Sequence, residues 1–249
     1  MLLSLSTWCD VEDYLTRSRT ILLPIGSMEQ HGPTGLIGTD AICPTVIAKT
    51  AAADDPEILL GPTFSVGVAQ HHLGFPGTLT LRPSTMIAVI QDWCASLRRH
   101  GFERIYWING HGGNIATIAA AFAEVYAERS LSGPESGLPE LRMKQRSWWD
   151  YPDVMRTCKR LHPQFDGAHA TASEVSVTYA AYPEHIRDVP LEPRVAANGS
   201  FTDAEDYRKN FPDGRMGSDP SQATAEAGRE IIDCAAKALR RDFLSFASG

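Results

Sequence analysis

Apolar residues along this chain fall into two rhythms. Short, largely apolar runs read as strands buried on both faces. These are Ile21-Leu22-Leu23-Pro24-Ile25, closed by Gly26; Glu57 to Leu60, stopped by Gly61-Pro62; Arg104 to Ile108; and a stretch near Leu141 to Arg146. Between them, apolar positions recur at helical spacing. Thr7 to Arg17 reads as a helix, with Thr7 as N-cap ahead of Val11, Tyr14 and Leu15. Ala41 to Ala53 and Ile115 to Glu128 read as helices, as does a segment capped by Ser84 that carries Ile87, Ile90, Trp93, Cys94 and Leu97. Asp219-Pro220 reads as an N-cap and N1 pair opening a long C-terminal helix, with Ile231, Ala235 and Leu239 on its apolar face.

Strand alternating with helix predicts an α/β fold. The expected form is a three-layer α/β/α arrangement on a mainly parallel central sheet, joined by right-handed crossovers. No internal repeat or low-complexity linker divides the chain, so residues 1–249 are expected to form one domain. In such sheets ligands bind beyond the carboxyl ends of the strands. Chemistry is therefore expected in the loops after Gly26, after Leu60 and after Asn109.

Composition narrows the class. Of 249 residues, 43% are hydrophobic and 21% charged, which is ordinary globular usage and excludes disorder and collagen. No apolar run nears the roughly 20 residues that span a bilayer, and the N-terminus lacks the basic start and apolar core of a signal peptide. A net charge of −7 argues against a broad nucleic-acid surface. The five cysteines, Cys9, Cys43, Cys94, Cys158 and Cys234, are scattered and form no CxxC pair. Reduced thiols in a cytoplasm are the plain expectation.

Three segments carry the candidate chemistry. After the first strand, Glu29 and His31 lie two residues apart, on one face if the segment is extended. Asp40 follows a loop holding Gly32, Gly35 and Gly38 that can fold back on itself. Glu, His and Asp converging at a strand end suit a divalent metal. The alternative makes Glu29 solvated, His31 part of a turn and Asp40 a helix N-cap. After the third strand, Asn109-Gly110-His111-Gly112-Gly113-Asn114 runs into a helix. It matches neither GxGxxG nor the P-loop pattern. The third segment is Gly167 to Glu174, where Thr171 and Glu174 form a capping-box pattern. His169 and Glu174 share a site only if His169 lies outside the helix, on its entry loop.

Taken together, these segments resemble the creatininase (creatinine amidohydrolase) family over nearly the whole chain. The resemblance extends to His72-Leu73-Gly74-Phe75-Pro76-Gly77-Thr78, Gly217-Ser218-Asp219-Pro220 and Ala223-Thr224. It implies two divalent metals, Zn2+ or Mn2+. By that resemblance Glu29 and His111 bind one, His31 and Glu174 bind the other, Asp40 bridges both, and His169 is the catalytic histidine. One departure stands out. Creatinine-cleaving members have an aromatic residue and a metal-binding Glu where this chain has Gly112 and Gly113, so Glu174 must supply the carboxylate.

The implied reaction is hydrolysis of a carbon–nitrogen bond in a small, cyclic amide by a metal-bridging hydroxide, with His169 passing a proton to the departing nitrogen. The same site would also serve a carbon–carbon bond in a cyclic keto-sugar, or a short peptide. A rival of another class is a nucleotide- or phosphate-binding α/β module seating phosphate at Gly112-Gly113. Trp148 and Trp149 are candidate walls of the substrate pocket, with ordinary core or interface packing as the alternative. His72 is a candidate to reach the site, from this chain or a neighbouring subunit. His71, His100, His162 and His185 are read as surface or structural, and Asp203 to Asp206 as a solvated loop. The expected partners are a small-molecule substrate and further copies of the chain, a homo-hexamer by the resemblance, with no nucleic acid or membrane.

Overall fold

In the computed structural model, which describes residues 1–53 and 55–249, three parallel strands lie side by side in chain order. They are β1 (Thr20–Ile25), β2 (Arg104–Asn109) and β3 (Arg142–Ser147). Thr20 pairs with Arg104 and Arg104 with Arg142, so all three strands end level. The described helices are α1 (Trp8–Leu15), α2 (Thr39–Ala52), α3 (Pro83–Arg99), α4 (Ile115–Ser132), α5 (Pro152–Leu161), α6 (Ala172–Ala181), α7 (Ala204–Asn210) and α8 (Ala225–Ser248). None of them is long and apolar enough to cross a membrane.

Alternation along each strand sorts the core into two layers. Leu22, Tyr106 and Ile108 face one side, where they join Ile47 of α2, Val154 of α5, Val177 of α6 and Leu239 of α8. Ile21, Leu23, Ile105 and Trp107 face the other, against Tyr14 of α1, Ile90 of α3 and Ile118 of α4. Helices thus cover both faces, as the three-layer expectation requires.

Several boundaries differ from the sequence reading. Residues 57–60 form no strand. Leu60 makes single parallel bridges to Leu2 and Leu22, and Phe64 one to Ile25. The segment runs beside β1, but Pro62 has no N–H to continue a ladder. Helix α3 begins at Pro83 rather than after Ser84, because proline's fixed φ suits the first helical position. Asp219 caps only a short 3-10 turn, Pro220–Gln222; Ala223 is extended, and Thr224 caps α8 by accepting from Ala227 N. Asp203 to Asp206 is no loop: Asp203 accepts from Asp206 N and opens α7. Thr7 caps α1 as expected, with Asp10 completing a capping box.

Candidate active site

The carboxyl ends of the strands open onto a cavity of about 680 Å3. From β1 the chain passes Gly26 and folds back on itself, with Glu29 N donating to Ile37 O and Gly35 N to His31 O. The fold-back sets the start of α2 against the sheet end. A Cβ at Gly26 or at Gly110 would lie 2.1 Å from Asp40 O, so only glycine fits at either position. Asp40 itself lies inside the first turn of α2, behind Gly38 at the cap position. It is not an N-cap, and its carboxylate is buried and turned into the cavity.

Asp40 stands between two imidazoles. Its Oδ1 is 3.0 Å from His31 Nε2, and its Oδ2 is 2.9 Å from His111 Nδ1. Glu29 lies alongside, with Oε2 3.3 Å from His111 Nε2 and Oε1 3.2 Å from His72 Nε2. Both Glu29 oxygens and Asp40 Oδ2 are buried and face imidazole nitrogens that are not aligned to donate to them. Such orphaned acceptors are costly unless something else satisfies them. The donor atoms of Glu29, His31 and Asp40 lie within 4.8 Å of one another, as do those of Glu29, His72 and His169. An oxygen-and-imidazole set of this kind suits a divalent cation. Two asparagines hold the His111 loop. Asn109 Nδ2 donates to His111 O, and Asn114 Nδ2 donates to Gly26 O while its Oδ1 accepts from Val68 N.

The creatininase family model, described as creatinine amidohydrolase, matches residues 4–243. The chain belongs to the creatininase family. A creatinine amidohydrolase of Pseudomonas putida is 28% identical over 190 residues, 72% of this chain and 71% of its own length. A mycofactocin precursor peptide peptidase of Mycobacterium ulcerans is 28% identical over 242 residues, 89% of this chain and 85% of its own. The solved structure "Creatininase Mn" superposes with a TM-score of 0.85 at 22% identity, covering 100% of this chain and 99% of that one. That likeness establishes a creatininase-like fold, and family membership makes the chain a hydrolase.

The remaining residues build outward from this centre. Thr171 and Glu174 make the capping box the sequence suggested, with Thr171 N donating to Glu174 Oε1 at 2.6 Å and Glu174 N to Thr171 Oγ1 at 3.1 Å. The same Oε1 lies 4.0 Å from His31 Nε2, so the cap also brings the carboxyl to the cluster. His169 is outside α6, as required, in an antiparallel bridge to Met216. The chain turns there through Ala170 at φ 53, a left-handed conformation unusual for alanine.

His72 reaches the site from this same chain and fixes a hydrogen-bond relay. His169 Nε2 lies 2.8 Å from Gln30 O and 3.0 Å from the Gln30 side-chain nitrogen, and its Nδ1 lies 3.8 Å from Glu29 Oε1. The Gln30 side-chain amide donates to His72 Nδ1 at 2.9 Å and to Gly214 O at 2.8 Å, so His72 Nε2 carries a hydrogen toward Glu29. Gln30 was not singled out from sequence; its only signal is its place between two candidate ligands. His71 and His162, read as surface or structural, both line the cavity. His71 stacks on Phe201 at 4.6 Å, and His162 Nδ1 meets Ser173 Oγ at 3.1 Å. His100 and His185 are exposed as expected. Trp148, buried, and Trp149 both wall the cavity.

Gly112 has open space where a side chain would stand, whereas a Cβ at Gly113 would lie 2.4 Å from His111 Nε2 and 2.8 Å from Val68 O. His111 Nε2 makes its 2.9 Å hydrogen bond to Val68 O across that space. A carboxylate side chain at 113 is incompatible with this placement of His111.

Electrostatics follow from burial among like and unlike charges. Burial pulls His31 down, but Asp40, then Glu174 and Glu29, together lift it to about 10. Burial opposes and Glu29 and Asp40 support the proton on His111, giving about 9. Glu174 is raised to about 7, chiefly by burial, with His31 working against the shift. Burial would raise Asp40 and Glu29, yet neighbouring imidazolium charge, from His31 and His111 on Asp40 and from His111 on Glu29, holds both below the usual carboxylate range. His169 goes the other way: burial, then the charge on His31, depresses it well below an ordinary histidine.

Proposed function

We propose that the chain hydrolyses a carbon–nitrogen bond in a small, cyclic amide with the help of two divalent cations, zinc or manganese. The observation that carries this reading is Asp40, whose two carboxylate oxygens face different imidazoles from opposite sides. Such a residue can serve two ions at once. Glu29 and His111 would hold one ion, and His31 and Glu174 the other. When bound, the pair supplies a water made nucleophilic near neutral pH and a Lewis acid for the scissile carbonyl.

The chain's own residues do the rest. His31 Nδ1 lies 3.1 Å from Glu29 O, a partner that fixes its tautomer and leaves Nε2 to face the cluster. His169 begins neutral, because its pKa is depressed. Its Nδ1 takes the proton the attacking water gives up and returns it to the departing nitrogen. Gln30 holds that imidazole at Nε2, with Nδ1 toward Glu29. The apolar walls exclude bulk water and strengthen each of these contacts.

Two experiments test the reading. Protein loaded with zinc or manganese should hydrolyse at least one member of a panel of cyclic amides, and chelation should reversibly abolish turnover. No turnover of any member would count against it. The second concerns protons. Without metal, His31 and His111 are both charged at pH 7, since carboxylates lift them to about 10 and about 9. Ligation requires neutral imidazoles and an ionised Glu174, which burial raises to about 7, so binding zinc at pH 7 should release about two to three protons per subunit. Calorimetry in buffers of different ionisation enthalpy counts them, and metal uptake without proton release would contradict the assignment.

A further inference from the structure

The cavity is larger than one ring needs. Roughly 150 Å3 of enclosed space takes a benzene-sized molecule, against about 680 Å3 here. Beyond the polar centre the walls are mostly apolar, with Trp148, Phe201 and Met216 among them, interrupted by Asp166 and Ser173, and the space at Gly112 is open. One side is a stripe of α5. Met155, Cys158 and Lys159, with His162 just past the helix end, line the cavity at the i, i+3, i+4, i+7 spacing of a helix face.

The charges on α5 are divided between this face and the others. Arg156 pairs with Asp153 and Arg160 with Glu230, and neither arginine lines the cavity. Lys159 does line it. It is exposed and is the one lysine or arginine in that lining; among the described residues it makes no salt bridge, and the Asp166 carboxylate in the same lining accepts from Ser173 N and Oγ instead. An ammonium on a four-carbon stem at the mouth of an apolar cavity is a point charge available to an anion. Glu29, Asp40 and His169, where the amide would be cleaved, line the same cavity.

We infer that the substrate carries a carboxylate at the end distant from the scissile amide, and that Lys159 binds it. The inference rests on the metal-hydrolase reading and names its substrate class: an amide joined through an apolar stretch to a free carboxylate. The amide sits at Glu29, Asp40 and His169, the acid meets Lys159, and the stretch between them is covered by the apolar part of the lining. Lys159 is then a specificity-determining residue and takes no part in bond breaking.

The test uses binding rather than turnover. Monohydroxamates of straight-chain dicarboxylic acids, from succinic to suberic, are titrated calorimetrically into zinc-loaded protein, beside the same compounds with the far acid replaced by a primary amide. The hydroxamate anchors each compound at the ions, and the far group reports on Lys159. At the best chain length the acid should bind about fivefold more tightly than its amide, the reach of a partly exposed charge pair. Lys159→Gln should bring that ratio to one, and Lys159→Glu should invert it. A ratio near one at every length in the unaltered protein, or an unchanged ratio in Lys159→Gln, would overturn the inference while leaving the hydrolase reading intact. Failure of acids and amides alike to bind would overturn both.

Discussion

Replacing Asp40 with Asn should abolish activity and strip the site of at least one cation. The carboxylate is buried, faces His31 and His111 from its two oxygens, and is the group best placed to offset repulsion between two ions. Asn keeps the shape and one acceptor but removes the charge, so the fold should persist. The loss in kcat/KM should be at least the 10²–10³ typical of deleting one strong electrostatic contact. In the metal-free variant the His31 pKa should fall, since Asp40 is the foremost of the carboxylates that oppose burial there. NMR titration of the imidazole measures that change directly. A His31 that still titrates near 10 would contradict the electrostatic account.

His169→Ala should act differently, keeping both metals and losing turnover. Its Nε2 is held by Gln30, its Nδ1 faces Glu29, and its ring stacks on His72 and lies tilted against His31 at centroid distances of 4.3 and 4.5 Å. With five other donors available to the proposed pair of ions, the imidazole is not needed as a ligand. Loss of a general acid–base group costs about 10²–10⁴ in kcat with KM little changed. The deficit should shrink for an amide whose leaving nitrogen is activated, because such a nitrogen needs less protonation as it departs. Metal loss in this variant would make His169 a ligand. Full activity on an unactivated amide would move the proton transfer to another group.

Local pattern made the strands and their covering helices legible, and it placed His169 on an entry loop. Thr7 caps its helix as expected and Thr171 with Glu174 forms the capping box their spacing predicts, because such boxes are written within four residues. The convergence of Glu29, His31, Asp40 and His111 was suggested by their positions at strand ends and by the family resemblance. Other features depend on contacts far apart in the chain, which periodicity does not encode. Gln30 meets His72 across 42 residues, and His169 across 139. Lys159 acquires meaning only once α5 is laid along the cavity and its arginines are paired elsewhere. The false strand at 57–60 and the misplaced start of α8 have local causes. Pro62 ends the pairing beside β1, and the Asp219 carboxylate is held by Arg194 and Ser221 while the chain stays extended at Ala223.

The central claim is that Asp40 joins two cations in one hydrolytic site. The most direct measurement is the zinc or manganese content per subunit, by mass spectrometry, of protein reconstituted with excess metal and desalted, beside Asp40→Asn treated identically. The account predicts about two ions per subunit in the unaltered protein, as two four-donor sites sharing one carboxylate allow, and one or none in the variant. Equal metal content in the two proteins, or an unaltered protein that retains no metal, would contradict it.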